Sequence, residues 1–475
     1  MPGADSEKNR KIKDLSKNTA VFTIGSFGAR IISFLLVPLY TYVLSTSEYG
    51  TLDIVTTTVQ LLIPVLTLNV QDAVLRFALD NEYKKEDVIR VGLRINAIGA
   101  CILGIVLMAG NLIQALPLTP NYLFFLYISY VAGAVNNSLT MYLKAKNKVV
   151  NLTVWGLVNT LVTCLFNLVL LLVLKLGVNG YMISYASGTI IADIGMLTTA
   201  GVLTDIKDSR PNPPLRKAML AYGIPLVLNS IAWWINNASD RYILTYFCGT
   251  AVNGIYSVSY KIPSILAIIQ TIFYSAWSVS AITEYDKDDT DGFMGNVYTA
   301  YGSMSIIGCS VIMFFNIVIA KVLYSKDFFQ AWEFVPFLLV GTAFNGLGHF
   351  HGSIFSARKI TKEISLTTLL GAIINTILNF ILIPQLGALG AAIATMIGYC
   401  SVWIVRTIRV RNIIEMKVKW NKHILCIIVL VAQCLIATYI RNPLYQLPSV
   451  VILCLLSWDV IIKTWSRLIS IVKKK

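Results

Sequence analysis

Charge is scarce in this sequence. Only 13% of its 475 residues are Asp, Glu, Lys or Arg, and acids are outnumbered by bases 24 to 39. A soluble domain carries about 25% charged residues, so a chain with an ordinary water-exposed surface is excluded. Histidine occurs three times, and the eight cysteines (Cys101, Cys164, Cys248, Cys309, Cys400, Cys426, Cys434, Cys454) stand singly in apolar runs without a CxxC pair. That spacing excludes a zinc ribbon or a disulfide framework, and such cysteines are read as packing residues. His349 and His351 form the one close histidine pair, with no acid or cysteine nearby in sequence, which argues against a metal or catalytic centre. No polar stretch is long enough for a soluble domain; the longest are 1–17, 204–217 and 406–422.

What fills the chain is hydrocarbon. Hydrophobic residues make up 56%, the mean hydropathy is +0.69, and apolar runs of the roughly 20 residues needed to cross a bilayer recur along the length. Hydropathy and punctuation predict an all-α membrane protein with fourteen transmembrane helices over 18–43, 49–79, 90–115, 121–143, 149–174, 178–203, 216–246, 251–283, 293–323, 330–356, 363–383, 388–411, 422–440 and 446–468. The basic start, 1–17, precedes an apolar run too long for a signal-peptide core and is expected to be a cytosolic arm. With both termini in the cytosol, only Lys175, Lys321, Lys326 and Arg441 fall in outer loops. Arg30, Arg76, Arg241 and Lys261 fall inside spans, and the remaining basic residues face inward. The net charge of +15 is thus a topology signal, with contact to anionic membrane lipids, and not a nucleic-acid footprint.

The sequence repeats itself. The stretch 145–180 is echoed by 357–390, both with a basic loop, an Asn-Thr pair and an LGxxG reversal. EYGTLDIV from Glu48 is similar to VNGIYSVS from Val252, at a nearly constant spacing. Two six-helix units in parallel orientation, with two added helices, follow from this. The expected domains are an N-lobe over 18–203, an inter-lobe cytosolic loop over 204–215, a C-lobe over 216–411, two C-terminal helices over 422–468 and a basic tail over 469–475. Lobes of this kind place a substrate cavity between them and alternate access by rocking.

Polar stripes on apolar helices indicate what the cavity holds. The first span carries Thr23, Ser26, Arg30, Ser33 and Thr41 near one face; the second Asp53, Thr57, Gln60, Pro64, Thr67 and Gln71; the seventh Asn229, Trp233, Asn236, Asn237 and Asp240; the eighth Ser257, Lys261, Ser264, Thr271, Ser275 and Ser278. A charge at membrane depth costs roughly 2.5–3.5 kcal/mol, so these cations are expected to face protein or water. Arg30 and Lys261 are the expected substrate-binding cations, with Arg76 and Arg241 beside them. Asp240 is the expected ion-pair partner of Arg241. Asp53, Gln60, Asn229, Asn236, Asn237, Asp240 and Trp233 are expected to line the cavity or couple an ion. A cationic cavity favours an anionic cargo such as phosphate or pyrophosphate. Pro38, Pro64, Pro225, Pro263 and Pro336, inside spans, are expected to kink them.

On these features the chain resembles the polysaccharide and O-antigen flippase family of the multidrug, oligosaccharidyl-lipid and polysaccharide exporter superfamily. The resemblance rests on GSFGARIISFLLVPLYTYVLSTSEYGTLDIV, the AVLRF segment with Arg76, DRYIL with Asp240 and Arg241, GIYSVSYKI with Lys261, and LGALGAAIAT. It implies a V-shaped two-lobe fold in a bacterial inner membrane and a transporter, not an enzyme. It implies a polyprenyl (undecaprenyl) pyrophosphate-linked glycan as cargo, moved from the cytosolic to the outer face. No cofactor is expected; membrane potential, H+ and Na+ are all open as the energy source, and the expected partners are glycosyltransferases and a polysaccharide polymerase. A lipid II flippase shares the plan. A drug/cation antiporter would want an unpaired cavity acid where Arg30 stands, and a glycan polymerase or ligase a larger outer loop.

Overall fold

The structure, a computed structural model, describes residues 28–462 except 29, 81, 115–117, 284–288, 291, 359 and 461. The arm 1–17, Thr23 and Ser26, the tail 469–475, most of the acidic loop 284–291 and the side chain of Ser278 lie outside the described residues. All regular structure described is helical, in two compact units, one ending at Trp234 and one beginning at Ile235. The first holds α1 (Arg30–Val43), α2 (Thr46–Leu66), α3 (Val70–Ala78), α4 (Lys85–Leu112), α5 (Pro120–Ala145), α6 (Val149–Val173), α7 (Gly177–Thr199) and α8 (Val202–Asp208). Helix α9 (Pro213–Cys248) runs from the first unit into the second. The second holds α10 (Thr250–Ser259), α11 (Lys261–Thr283), α12 (Phe293–Phe314), α13 (Asn316–Leu323), α14 (Val335–Ala357), α15 (Thr361–Leu386), α16 (Ala388–Arg411), α17 (Trp420–Tyr439) and α18 (Leu447–Leu456).

Among the described residues nine helices are long and apolar enough to cross a membrane, with α10 and the first part of α11 taken as one span. The pair α7 and α8, bent by 62°, makes a tenth. The chain is a multi-pass membrane protein. Its lipid-facing surface shows as exposed apolar stripes, for example Ile98, Ile102, Ile105 and Leu112 on α4. Exposure of that kind is stable only in hydrocarbon.

Several expected spans are broken, each for a local reason. The expected helix 49–79 starts earlier and ends sooner. Ser45 and Glu48 form a reciprocal capping box, the Glu48 N–H donating to Ser45 Oγ at 3.2 Å and the Ser45 N–H to Glu48 Oε2 at 2.8 Å, which fixes the start of α2. Pro64 has no N–H for the Gln60 carbonyl, and four residues later Leu68, then Asn69, turn left-handed (φ 51° and 52°) before α3 begins. Such a conformation costs about 1–2 kcal/mol per non-glycine residue. The packing of α3 offsets it: Val70, Ala73, Val74 and Ala78 are buried in the same core as Val88 and Ile89 of α4, Leu139 and Leu143 of α5, and Met219 of α9. In α10 and α11 the break falls at Tyr260, where Pro263 cannot donate to the Ser259 carbonyl. Gly201 (φ 71°) makes the bend between α7 and α8. Pro336 is a correction: it sits in the first turn of α14, where a missing N–H costs nothing, and kinks no helix interior.

In the second unit α14 is buried along almost its whole length. Phe350 stacks on Trp277 of α11 at 4.2 Å, and Phe273 of α11 stacks on Tyr301 of α12 at the same distance.

Candidate functional site

The expected residues divide between the two units. In the first, Arg30 stands exposed on α1, with no hydrogen-bond or carboxylate partner among the described residues. Hydroxyls of the polar stripes serve the backbone: Thr41 donates to the Pro38 carbonyl at 3.2 Å, and on α2 Thr57 donates to that of Asp53 at 2.8 Å. Asp53 is half-buried and Gln60 exposed. Trp234 Nε1 donates to the Thr57 carbonyl at 2.8 Å, fastening α9 to the middle of α2. Asn229 and Trp233 are exposed on the same helix. Arg76 is not a lone cation: its Nη1 lies 3.2 Å from Asp80 Oδ2, an exposed pair one helical turn apart. Such pairs contribute about 0–1 kcal/mol.

In the second unit Lys261 is the first residue of α11, half-buried, its ammonium without a partner among the described residues. Ser264, Thr271 and Ser275 on the same stripe donate to carbonyls of their own helix. Asn236 is half-buried and Asn237 exposed. Asp240 is buried, and its hydrogen-bond donors are two hydroxyls and a backbone N–H. Its carboxylate accepts from Tyr256 Oη at 2.7 Å, from Tyr260 Oη at 3.0 Å and from the Arg241 backbone N–H at 2.9 Å. The Arg241 guanidinium lies over the Tyr260 ring, 5.4 Å from its centre. The structure therefore gathers Asp240, Arg241 and, through Tyr260, the residue next to Lys261.

The cluster continues onto two further helices. Tyr256 Oη lies 3.5 Å from Thr395 Oγ1 of α16, which accepts from Asn375 Nδ2 of α15 at 3.4 Å. Asn375 Oδ1 in turn accepts from Asn379 Nδ2 at 3.0 Å. All five of Asp240, Tyr256, Thr395, Asn375 and Asn379 are buried, and Asn379 Oδ1 has no hydrogen-bond partner among the described residues. One carboxylate with hydroxyl and amide oxygens is a hard, oxygen-only set, suited to a proton or a small hard cation and unsuited to a soft metal. Tyr256, Tyr260, Asn375, Asn379 and Thr395 were not among the expected site residues. The signal was present: Tyr256 with Tyr260 and Asn375 with Asn379 are each four residues apart, polar pairs on one face of an apolar helix.

A second buried polar centre forms around Arg406, which the charge count assigns to the inward-facing bases. It lies on α16 only 4% exposed, and its guanidinium donates to Thr367 Oγ1 (2.9 Å), Thr368 Oγ1 (2.9 Å), the Gly348 carbonyl (2.9 Å) and the Ile364 carbonyl (3.3 Å). Its partners are all uncharged. His351 Nδ1 lies 3.3 Å from Thr407 Oγ1 one residue further along the same helix.

The profile of the family described as polysaccharide biosynthesis protein matches residues 15–285, more than half of the chain. An uncharacterized membrane protein of Methanocaldococcus jannaschii, MJ1375, is 25% identical over 287 residues, covering 54% of this chain and 62% of that protein. The chain thus spans under two thirds of that relative's length. Among solved structures, the lipid II flippase MurJ in an inward closed conformation matches with a TM-score of 0.69 at 14% identity, over 95% of this chain and 100% of that one. An inward-facing MATE family multidrug resistance transporter matches with a TM-score of 0.64 at 13% identity, over 81% and 95%. These likenesses show the fold, and the profile match shows the family: this chain belongs to the polysaccharide biosynthesis protein family and is built on the helical fold of MurJ and MATE transporters.

Proposed function

We propose that the chain is a flippase that carries an undecaprenyl pyrophosphate-linked oligosaccharide, the repeat unit of a capsule, O-antigen or other surface polysaccharide, from the cytosolic to the outer leaflet of a bacterial inner membrane. The observation that carries this reading is the state of Arg30, a guanidinium exposed on an apolar helix with no carboxylate partner among the described residues, in a member of a polysaccharide biosynthesis family. Arg406 has four acceptors of its own; Arg30 and Lys261 have their charge to offer to a pyrophosphate. In this reading the chain has fourteen spans, two six-helix parallel repeats with two added helices, and both termini in the cytosol, and it works by alternating access. A coupling ion, H+ or Na+, would be taken at Asp240, with the oxygens of Asn375, Asn379 and Thr395 completing the site. Glycosyltransferases would supply the cargo and a polymerase would consume it.

A lipid II-type cargo is the second reading, favoured by the match to MurJ over nearly the full length. Complementation tests both. In a strain lacking its repeat-unit flippase, the wild-type chain is expected to restore surface polysaccharide, and Arg30→Gln or Lys261→Gln at equal protein level to abolish that restoration. Full restoration by both variants would remove the two cations from the cargo path, and rescue of a lipid II flippase mutant alone would select the second cargo.

A further inference from the structure

A basic pocket in the first unit takes no part in the reading above. A concavity of about 320 Å³ opens where the first turns of α4 meet the segment before α9, and four arginines line it: Arg90 and Arg94 on α4, Arg210 on the connecting segment and Arg216 on α9. Its walls are fastened together. Arg90 Nη1 donates to the Ser209 carbonyl at 2.8 Å and lies 3.3 Å from its hydroxyl, and the Arg210 N–H donates to the buried Asp87 carboxylate at 2.6 Å. Asn212 caps α9 by accepting the Leu215 N–H at 3.0 Å. Asp87 is thus engaged by a backbone N–H, and none of the four guanidinium groups has an ion pair among the described residues.

Charges that only orient spans need no concavity; they are as effective scattered over solvated loops. Here arginines from two distant segments line one pocket, and Val91, Ile95 and Ile98 give it an apolar wall beside them. Ile98 also begins the exposed apolar stripe that continues through Ile102 and Ile105 to Leu112, one face of the same helix. An anion held by the arginines would therefore have a hydrocarbon track leading away from it.

We propose that this pocket binds the phosphate headgroup of an anionic membrane lipid, with the lipid chain lying along α4. The planar, weakly hydrated guanidinium is suited to phosphate oxygens, and basic pockets among membrane helices recognise such headgroups. The proposal holds whichever cargo the chain carries, because the site is separate from Arg30, Lys261 and the Asp240 cluster in sequence and in partners.

The test uses the full chain in phosphatidylcholine nanodiscs, titrated with long-chain phosphatidic acid and followed by native mass spectrometry. Inorganic phosphate and pyrophosphate serve as the lipid-free arms. Arg94→Gln with Arg210→Gln is expected to weaken phosphatidic acid binding at least about tenfold, while Lys362→Gln with Lys419→Gln, exposed bases elsewhere, changes it less than about twofold. Arg90 is left intact because it fastens Ser209. If the glutamine pair does not fold, Arg94→Lys with Arg210→Lys is read in its place, and about threefold weakening is expected from loss of the planar fork. Unchanged binding in the pocket variants, or equal weakening by the control pair, would overturn the site. Pyrophosphate binding as tightly as the lipid would overturn the lipid as its occupant.

Discussion

Arg406 divides its guanidinium between the Gly348 carbonyl of α14 and the Ile364, Thr367 and Thr368 oxygens of α15, so one side chain joins three helices. An ammonium has no planar fork to meet that set. We therefore expect Arg406→Lys to lower stability by about 1–3 kcal/mol, read as thermal unfolding in detergent, through buried acceptors left unmade. An unchanged unfolding temperature would mean the contacts are not formed. Asp240 belongs to a different class, a buried acid whose strong partners are tyrosine hydroxyls. Asp240→Asn keeps an oxygen for those hydroxyls and loses the ability to hold a proton or cation. We expect normal folding and transport that no longer responds to an imposed H+ or Na+ gradient; an undiminished gradient response would take the coupling ion away from Asp240. Sequence reading found the charges here, because an Asp or Lys in an apolar run is conspicuous. It missed their neighbours, since a Tyr or Asn four residues from another becomes a site only once α9, α10, α15 and α16 bring their faces together. The same limit hid the partners of Arg406, since only the fold brings the acceptors of α14 and α15 to it.

At the scale of elements, the breaks decide which residues face each other. The turn after α2 puts the Leu68 carbonyl against α9 so closely that a Cβ on Gly223 would lie 2.3 Å from its oxygen. In an unconstrained helix Gly→Ala gains stability by roughly 1 kcal/mol. Gly223→Ala should instead lose about 1–3 kcal/mol, because backbone, unlike a flexible side chain, cannot move aside. Gly156 on α6, with open space around its Cβ position, is the control expected to gain. Thermal unfolding of both variants reads the difference, and stabilisation at Gly223 would show that α9 does not cross the α2–α3 turn at this distance. Pro64 and Pro263 announced their breaks, since a missing N–H is a property of the residue itself. The left-handed pair Leu68 and Asn69 did not: leucine has no preference for that conformation, and it is held there by the burial of α3.

For the whole molecule, the membrane class was legible because composition and charge placement are sums over hundreds of residues and tolerate local error. The family was legible from diffuse patterns such as the segment around Arg30, and the profile over residues 15–285 agrees with it. Span ends were less legible, since capping at Ser45 and the bend at Gly201 are set by a few atoms and leave hydropathy almost unchanged. The central claim is that Arg30 and Lys261 carry an anionic, lipid-linked glycan across the membrane. Its most direct test is the purified chain in proteoliposomes bearing a labelled polyprenyl pyrophosphate-linked oligosaccharide, with the fraction of glycan reaching the opposite leaflet measured over time. The account predicts protein-dependent translocation that falls at least about tenfold in Arg30→Gln and in Lys261→Gln, the loss of one charge-assisted contact each. Translocation at the wild-type rate in both variants, or none above protein-free vesicles with the wild-type chain, would contradict it.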